Sequence, residues 1–227
     1  MKRVNYYFNQ LAIKIPGLRT YEITPRYQSF NSENFYNKTS SIALLDTCGL
    51  KKINYACGKN FLSDWLNVDF IIRSNTIPKE ERSKYVSYAI NLAAKHPFPD
   101  SCFSFGFSED FLEHLQQCDS IVFLSECFRT LKPGGVFRLS FPGLEGVLNK
   151  HYKTCNYRNA IQGKMEAYTT WEHLHFYSRE ELKLVAEHIG YREINFVDYG
   201  ISNYPELNGL DTREEQIGLN TYAELIK

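Results

Sequence analysis

From about residue 52 onward the chain reads as short apolar runs separated by polar turns, with longer stretches of helical period between them. The runs at 52–56, 65–70, 88–93, 102–107 and 135–141 have the length and composition of buried strands, and 192–199 and 218–226 add two more near the end. Residues 119–131 place Ile121, Val122, Leu124, Phe128 and Leu131 near one face, which predicts a helix stopped by Pro133, Gly134 and Gly135. A second helix is predicted over 178–189, with Ser178 as N-cap, Glu181 completing a capping box and Gly190 as the C-terminal signal. Phe35, Ile42, Leu44, Leu45 and Leu50 suit a further helix over 31–50, capped by Asn31 or Ser32 and ended by Gly49. Residues 1–40 otherwise read as an irregular arm. Strands alternating with helices predict an α/β, mainly parallel sheet covered on both faces. No repeat or linker divides the chain, so residues 1–227 are expected to form one domain.

Composition narrows the function classes. Lysine plus arginine number 26 and aspartate plus glutamate 26, so there is no net field to attract nucleic acid or anionic lipid, and nucleic acid is not an expected partner. No apolar run approaches the roughly 18 residues of a membrane helix, and the opening residues lack a signal-peptide core. The expectation is no membrane and a cytoplasmic location. Six cysteines form no C-x-x-C pair or zinc-like spacing, which predicts neither disulfide nor metal.

Two constellations carry chemistry. In the first, 53–60 reads Ile-Asn-Tyr-Ala-Cys-Gly-Lys-Asn and is followed by Trp65-Leu66-Asn67-Val68-Asp69. A strand, a turn of small residues, and a second strand ending in a carboxylate suit a nucleoside. The backbone can approach the ligand, and the acid accepts from ribose hydroxyls. Taken alone, the same residues describe a tight turn and a strand-terminal aspartate. In the second, His96-Pro97-Phe98-Pro99-Asp100 precedes Ser108-Glu109, then Leu112-Glu113-His114-Leu115, then Glu126-Cys127-Phe128-Arg129-Thr130-Leu131-Lys132-Pro133-Gly134-Gly135.

In this order and spacing the segments resemble the class I S-adenosylmethionine-dependent methyltransferases of the methyltransferase-11 type, strongly over 52–142. The match is looser at 171–178 (Trp-Glu-His-Leu-His-Phe-Tyr-Ser) and 189–191 (Ile-Gly-Tyr). The resemblance implies a doubly wound Rossmann-like sheet of seven strands, with the last inserted antiparallel, and S-adenosylmethionine as cofactor. It implies that Ala56, Cys57 and Gly58 form the cofactor loop, that Asp69 holds the ribose and that Asn91 faces the adenine. Ser108 and Glu109 would lie beneath the transferable methyl. The link from Gly58 to Trp65 is too short for a crossover helix, so the first helix is expected to shrink to a turn.

Glu113 and His114 are adjacent, and neighbours on a helix point about 100° apart, so they are not expected to face one atom. An anchoring role is favoured for both. His173 and His175 share a face of an extended segment, but a metal would need a third ligand in register and the sequence offers none. His114, His173 and His175 are the candidate catalytic groups should an acceptor hydroxyl need a base. Four positions depart from the family pattern: Ala56 for glycine, Asn91 for aspartate, Asp110 for histidine and Gly143 where aspartate is common. The expected activity is methyl transfer to a small-molecule or glycan acceptor covered by 143–177, with oligomeric state open. The alternative is a methyltransferase-like scaffold without activity. A nicotinamide-dependent oxidoreductase would need a G-x-G-x-x-G loop and a longer crossover, both absent.

Overall fold

The computed structural model describes residues 44–152 and 157–227. Strands β1 (Lys52–Tyr55), β2 (Leu66–Asp69), β3 (Val86–Ala89), β4 (Phe103–Glu109), β5 (Leu131–Pro142), β6 (Glu193–Val197) and β7 (Asn220–Ile226) form one sheet in the order β3-β2-β1-β4-β5-β7-β6. The pairs among β1 to β5 are parallel, whereas β7 lies antiparallel between β5 and β6. This is the expected doubly wound sheet. The order reverses between β1 and β4, so the crevice at their carboxyl ends is where such a fold binds ligands.

Central strands buried on both faces must be apolar throughout or satisfy their polar groups internally. Ile53, Tyr55, Leu66, Val68, Phe103, Phe137 and Leu139 take the first course. Asn54 and Asn67 take the second: Asn54 Nδ2 donates to Asn67 Oδ1 at 3.0 Å and to the Asn60 carbonyl at 2.8 Å. Asn67 then accepts from Leu62 N and donates back to the Leu62 and Trp65 carbonyls. These amides hold the β1–β2 connection where a crossover helix would otherwise cover the sheet, and that connection is a turn, as its length predicts.

Helix α1 spans Gln117–Thr130, α2 Leu144–Tyr152, α3 Tyr157–Lys164 and α4 Arg179–Ile189, with a π-helical stretch, Met165–Thr170, following α3. In α4 the Ser178 hydroxyl caps Glu181 N at 3.0 Å and Gly190 ends the helix at φ 120°. The reciprocal half of the expected capping box is replaced, because Glu181 Oε1 accepts instead from Gln117 Nε2 and pairs with His175 Nε2. Helix α1 ends before the Pro-Gly-Gly turn, since Leu131 is already extended and pairs with Phe103. Gly135 has a different duty: a Cβ there would lie 2.9 Å from the Lys132 carbonyl oxygen and 3.1 Å from that of Ser104.

Arg129 explains the spacing of two motifs. Its guanidinium donates to Glu126, to Asp100 and to the carbonyls of Phe98 and His96, while His96 N donates to Glu126. The Pro-Phe-Pro-Asp segment is thereby fastened to α1. Sequence also misses a buried ion cluster: Arg138 in β5 pairs with Asp211 and Glu224, and donates to the carbonyls of Ile201 and Asp198. This pins the 198–211 connection to the sheet.

Three expectations need correction. Most of the helix over 31–50 and all of the arm 1–40 lie outside the described residues, but 44–50 is extended and then a turn, with Leu45 N bonded to the Pro97 carbonyl. The third strand ends at Ala89 rather than continuing to residue 93, because the chain turns at Asn91, whose side chain accepts from Ala93 N. Residues 143–177, expected only as a cover over the acceptor, contain α2, α3 and the π-helical stretch. Helix α3 is mostly polar, and its Ile161 and the following Met165 are exposed.

Candidate functional site

The loop leaving β1 bends at Ala56, whose φ is 51°, and at Gly58, whose φ is 56°. Cys57 N donates to the Val68 carbonyl at 3.1 Å and Asn60 N to the Cys57 carbonyl at 2.7 Å, so the loop closes on the end of β2 despite the alanine. A left-handed residue with a Cβ is strained, and this identifies the physical cost of replacing the family's glycine. Burial lifts the Cys57 thiol to about 12, with Asp69 adding to the rise, so it is inert packing in the loop.

Asp69 stands at the end of β2 and ties the loop after β1 to it. Its Oδ2 accepts from Gly58 N at 2.8 Å and its Oδ1 from Phe70 N at 2.6 Å. Each carboxylate oxygen keeps further acceptor capacity for a hydroxyl. Beside it a pocket is lined by Phe70, Asn91, Leu92, Phe111, His114 and Leu174, among others. Apolar walls carrying two amides, Asn91 and Gln116, the His114 imidazole and the Asp119 carboxylate suit a flat heteroaromatic ring with polar edges, and the residues present fit the adenosine end of S-adenosylmethionine. Asn91 Oδ1 already receives Ala93 N and has a second lone pair for an amino group. Phe70 was not singled out in the sequence; its signal is an exposed aromatic directly after the strand-terminal acid.

Ser108 and Glu109 do not line this pocket. Ser108 is buried in β4, and the Glu109 carboxylate accepts from the Thr212 amide and hydroxyl. The same connection occupies Asp110, which pairs with Arg213 at 2.9 Å and accepts from Asn220 Nδ2 at 2.8 Å. Burial raises Asp110 to about 6 against the opposing pull of Arg213. Gly143 also has a packing reason, because a Cβ there would stand 2.2 Å from the Thr221 hydroxyl. Two of the four departures from the family pattern therefore serve the junction with β7.

Glu113 and His114 lie on a single 3-10 turn, Leu112–His114, immediately beyond β4. The expectation that they diverge assumed a regular α-helix. Here the imidazole reaches back, leaving His114 Nε2 3.8 Å from Glu113 Oε1. His173 approaches from the other side, its Nε2 3.9 Å from the same oxygen and its ring centroid 4.9 Å from that of His114. The Glu113 carbonyl meanwhile accepts from Leu174 N and His175 N, so the anchoring role is a main-chain one. Burial, with the nearby Asp110 charge, holds Glu113 well above the carboxylate range, and burial with His114 lowers His173 to about 4. His173 is therefore neutral at pH 7 and a weak base. His175 serves a different partner, Glu181, at 2.8 Å.

Trp171 is exposed, as is Tyr168, whose ring meets Phe176 edge-on. The described cysteines 48, 57, 102, 118 and 127 are free thiols, and Cys155 lies outside the described residues. Among the described residues no helix is long and apolar enough to cross a membrane.

Residues 48–139 match the family model described as a methyltransferase domain, methyltransferase-11. No curated protein matches the chain. Among solved structures, a SAM-dependent methyltransferase from Archaeoglobus fulgidus is 14% identical over 79% of this chain and 89% of its own, with a TM-score of 0.52. One from Mesorhizobium loti is 12% identical over 86% and 96%, with a TM-score of 0.54. A phosphoethanolamine N-methyltransferase from Haemonchus contortus, solved with phosphomonomethylethanolamine and S-adenosylhomocysteine, is 14% identical over 86% of this chain and 52% of its own, with a TM-score of 0.53. At such identities the structures speak for the fold, and the family match speaks for the domain that the β1 loop and Asp69 belong to. Residues 48–139 thus match a methyltransferase domain, and they lie on a sheet whose fold is shared with solved S-adenosylmethionine-dependent methyltransferases.

Proposed function

We propose that this protein methylates a small-molecule or glycan acceptor, which approaches from the side of residues 143–177. The observation that carries the cofactor half is the Asp69 carboxylate, bonded to Gly58 N of the loop after β1 and flanked by the pocket of Phe70 and Asn91. In this reading the 56–58 backbone lies along the methionine portion, Asp69 accepts from the ribose and Asn91 meets the adenine. When bound, the cofactor would supply a sulfonium methyl whose carbon an acceptor lone pair attacks in line, the carbon–sulfur bond breaking with its electrons to sulfur and the acceptor's proton passing to solvent or a nearby base. What the protein adds is alignment and exclusion of water, which can supply most of the rate without a strong base. A weakly basic His173 agrees with that division. The acceptor half is supported by the exposed Trp171 and Tyr168, broad faces that suit sugars and small rings.

The test is thermal denaturation with S-adenosylhomocysteine. At a hundred times its dissociation constant the ligand stabilises by about 2.7 kcal/mol, roughly 5–10 °C for a chain of this size. Asp69→Ala should weaken binding by about 10- to 100-fold, the range for hydrogen bonds to a charged group. No shift at millimolar ligand would leave a methyltransferase fold acting as a scaffold. Unchanged affinity in a folded Asp69→Ala protein would remove Asp69 from the site.

A further inference from the structure

We propose that Glu113, His114 and His173 bind a divalent transition-metal ion at the edge of the pocket, where it ties the 171–176 segment to the end of β4 and leaves a coordination position for the acceptor. One donor atom from each of the three side chains can be chosen so that all lie within 4.8 Å of one another. Glu113 has 1% of its surface exposed and neither carboxylate oxygen has a hydrogen-bond partner; Nδ1 of His173 is likewise buried and unpartnered. A buried carboxylate with nothing to accept from costs several kcal/mol, so such groups are normally paired or coordinate a metal. The nearby cation is committed elsewhere: Arg213 pairs with Asp110.

The donor set fits the chemistry. Two imidazoles and a carboxylate hold zinc in hydrolytic enzymes and bind iron(II) or manganese(II) with open positions. Bonds of about 2.0–2.2 Å place tetrahedral donors roughly 3.3 Å apart. The observed 3.8 and 3.9 Å from Glu113 Oε1 to the two imidazoles, within a cluster whose donors span up to 4.8 Å, therefore need the two rings to close in on the carboxylate and on each other when a metal binds. Three protein ligands leave at least one position open, and His114, which lines the pocket, sets its direction. An acceptor oxygen or nitrogen bound there would be oriented and made easier to deprotonate. The sequence concealed this site because its ligands are about 60 residues apart and only two are adjacent.

Metal binding is measurable without cofactor or acceptor, so the outcome is independent of the acceptor assignment above. The full chain, stripped with chelator and dialysed, is titrated calorimetrically with Zn2+ and separately with Mn2+, which has little affinity for thiolates. One equivalent of at least one cation should bind. Glu113→Gln and His173→Ala should each weaken that binding at least 100-fold, while His188→Ala should leave it unchanged. Because Glu113 is buried and His173 is the less exposed of the two imidazoles, His114→Ala serves if those variants misfold, as judged by circular dichroism. Absence of a one-to-one complex with either cation overturns the proposal. So does a complex that survives all the ligand substitutions that fold.

Discussion

At the scale of single residues, the sharpest departure from the family pattern is a backbone matter. Ala56 sits at φ 51° with the loop's hydrogen bonds intact, so the alanine is tolerated at a conformational cost instead of unmaking the loop. A non-glycine residue in this region costs about 1–2 kcal/mol, of which glycine's greater freedom in the unfolded chain offsets roughly 0.5–1 kcal/mol. Ala56→Gly should therefore raise the melting temperature by about 2 °C, read by differential scanning calorimetry, and should not weaken S-adenosylhomocysteine binding. A lower melting temperature would show that the Ala56 methyl packs usefully. Asn91 is the contrasting case, since its amide fixes the turn after β3 while keeping acceptor capacity toward the pocket.

At the scale of elements, the motifs divide by duty. The Glu126–Arg129 spacing and the Pro-Phe-Pro-Asp segment form one clamp, in which a planar fork meets two carboxylates and two carbonyls. Arg129→Lys should lose most of it, because an ammonium cannot reproduce the fork. A loss of about 2–3 kcal/mol is expected in urea denaturation, with the buried Glu126 left uncompensated. The segment from α2 to α4 divides differently. His175 and Glu181 fasten it to α1 through Gln117, whereas Trp171 faces solvent. Trp171→Ala should leave cofactor affinity within about twofold and abolish turnover once the acceptor is known; unchanged turnover would make Trp171 surface decoration. Strands and the helices α1 and α4 were legible because they carry more apolar residues than α3 and their stops are glycine or proline. Asp69 and the 56–58 loop were legible because they are close in sequence. Helix α3 was not, since its face is polar, and neither was the convergence of Glu113 with His173, which depends on a 3-10 turn that no local pattern marks. Ser108 and Glu109 were placed beneath the cofactor by their strand position alone, and the partner that claims Glu109, Thr212, is more than a hundred residues away.

At the scale of the whole molecule, buried titratable groups of opposite habit set the response to acid. Burial lowers His96 to about 4, so its contribution to stability is fully present above the unfolded value near 6.5 and is lost as pH falls toward 4. Glu113 is raised and Asp110 lies near 6, so they act in reverse, favouring the fold most at low pH and weakening it as pH rises past their unfolded values. His96→Phe, which keeps a ring against Tyr55 and Phe123, should reduce the difference in unfolding free energy between pH 6.5 and 4.5 by about 2 kcal/mol. An unaltered pH profile would assign that acid sensitivity elsewhere. The insertion of β7 between β5 and β6 bears on how the chain is made. As the polypeptide leaves the ribosome, the outer edge of β5 is complete at Pro142, but the strand that covers it begins about 78 residues later. At about 5–20 residues per second that edge stays bare for roughly 4 to 16 s. Strand β6, emerging meanwhile, has no neighbour at all until β7 follows. A nascent chain stalled before residue 220 would thus present two unpaired edges to its neighbours on the same polysome, a template for aggregation that the cell must shield until the final strand slides in.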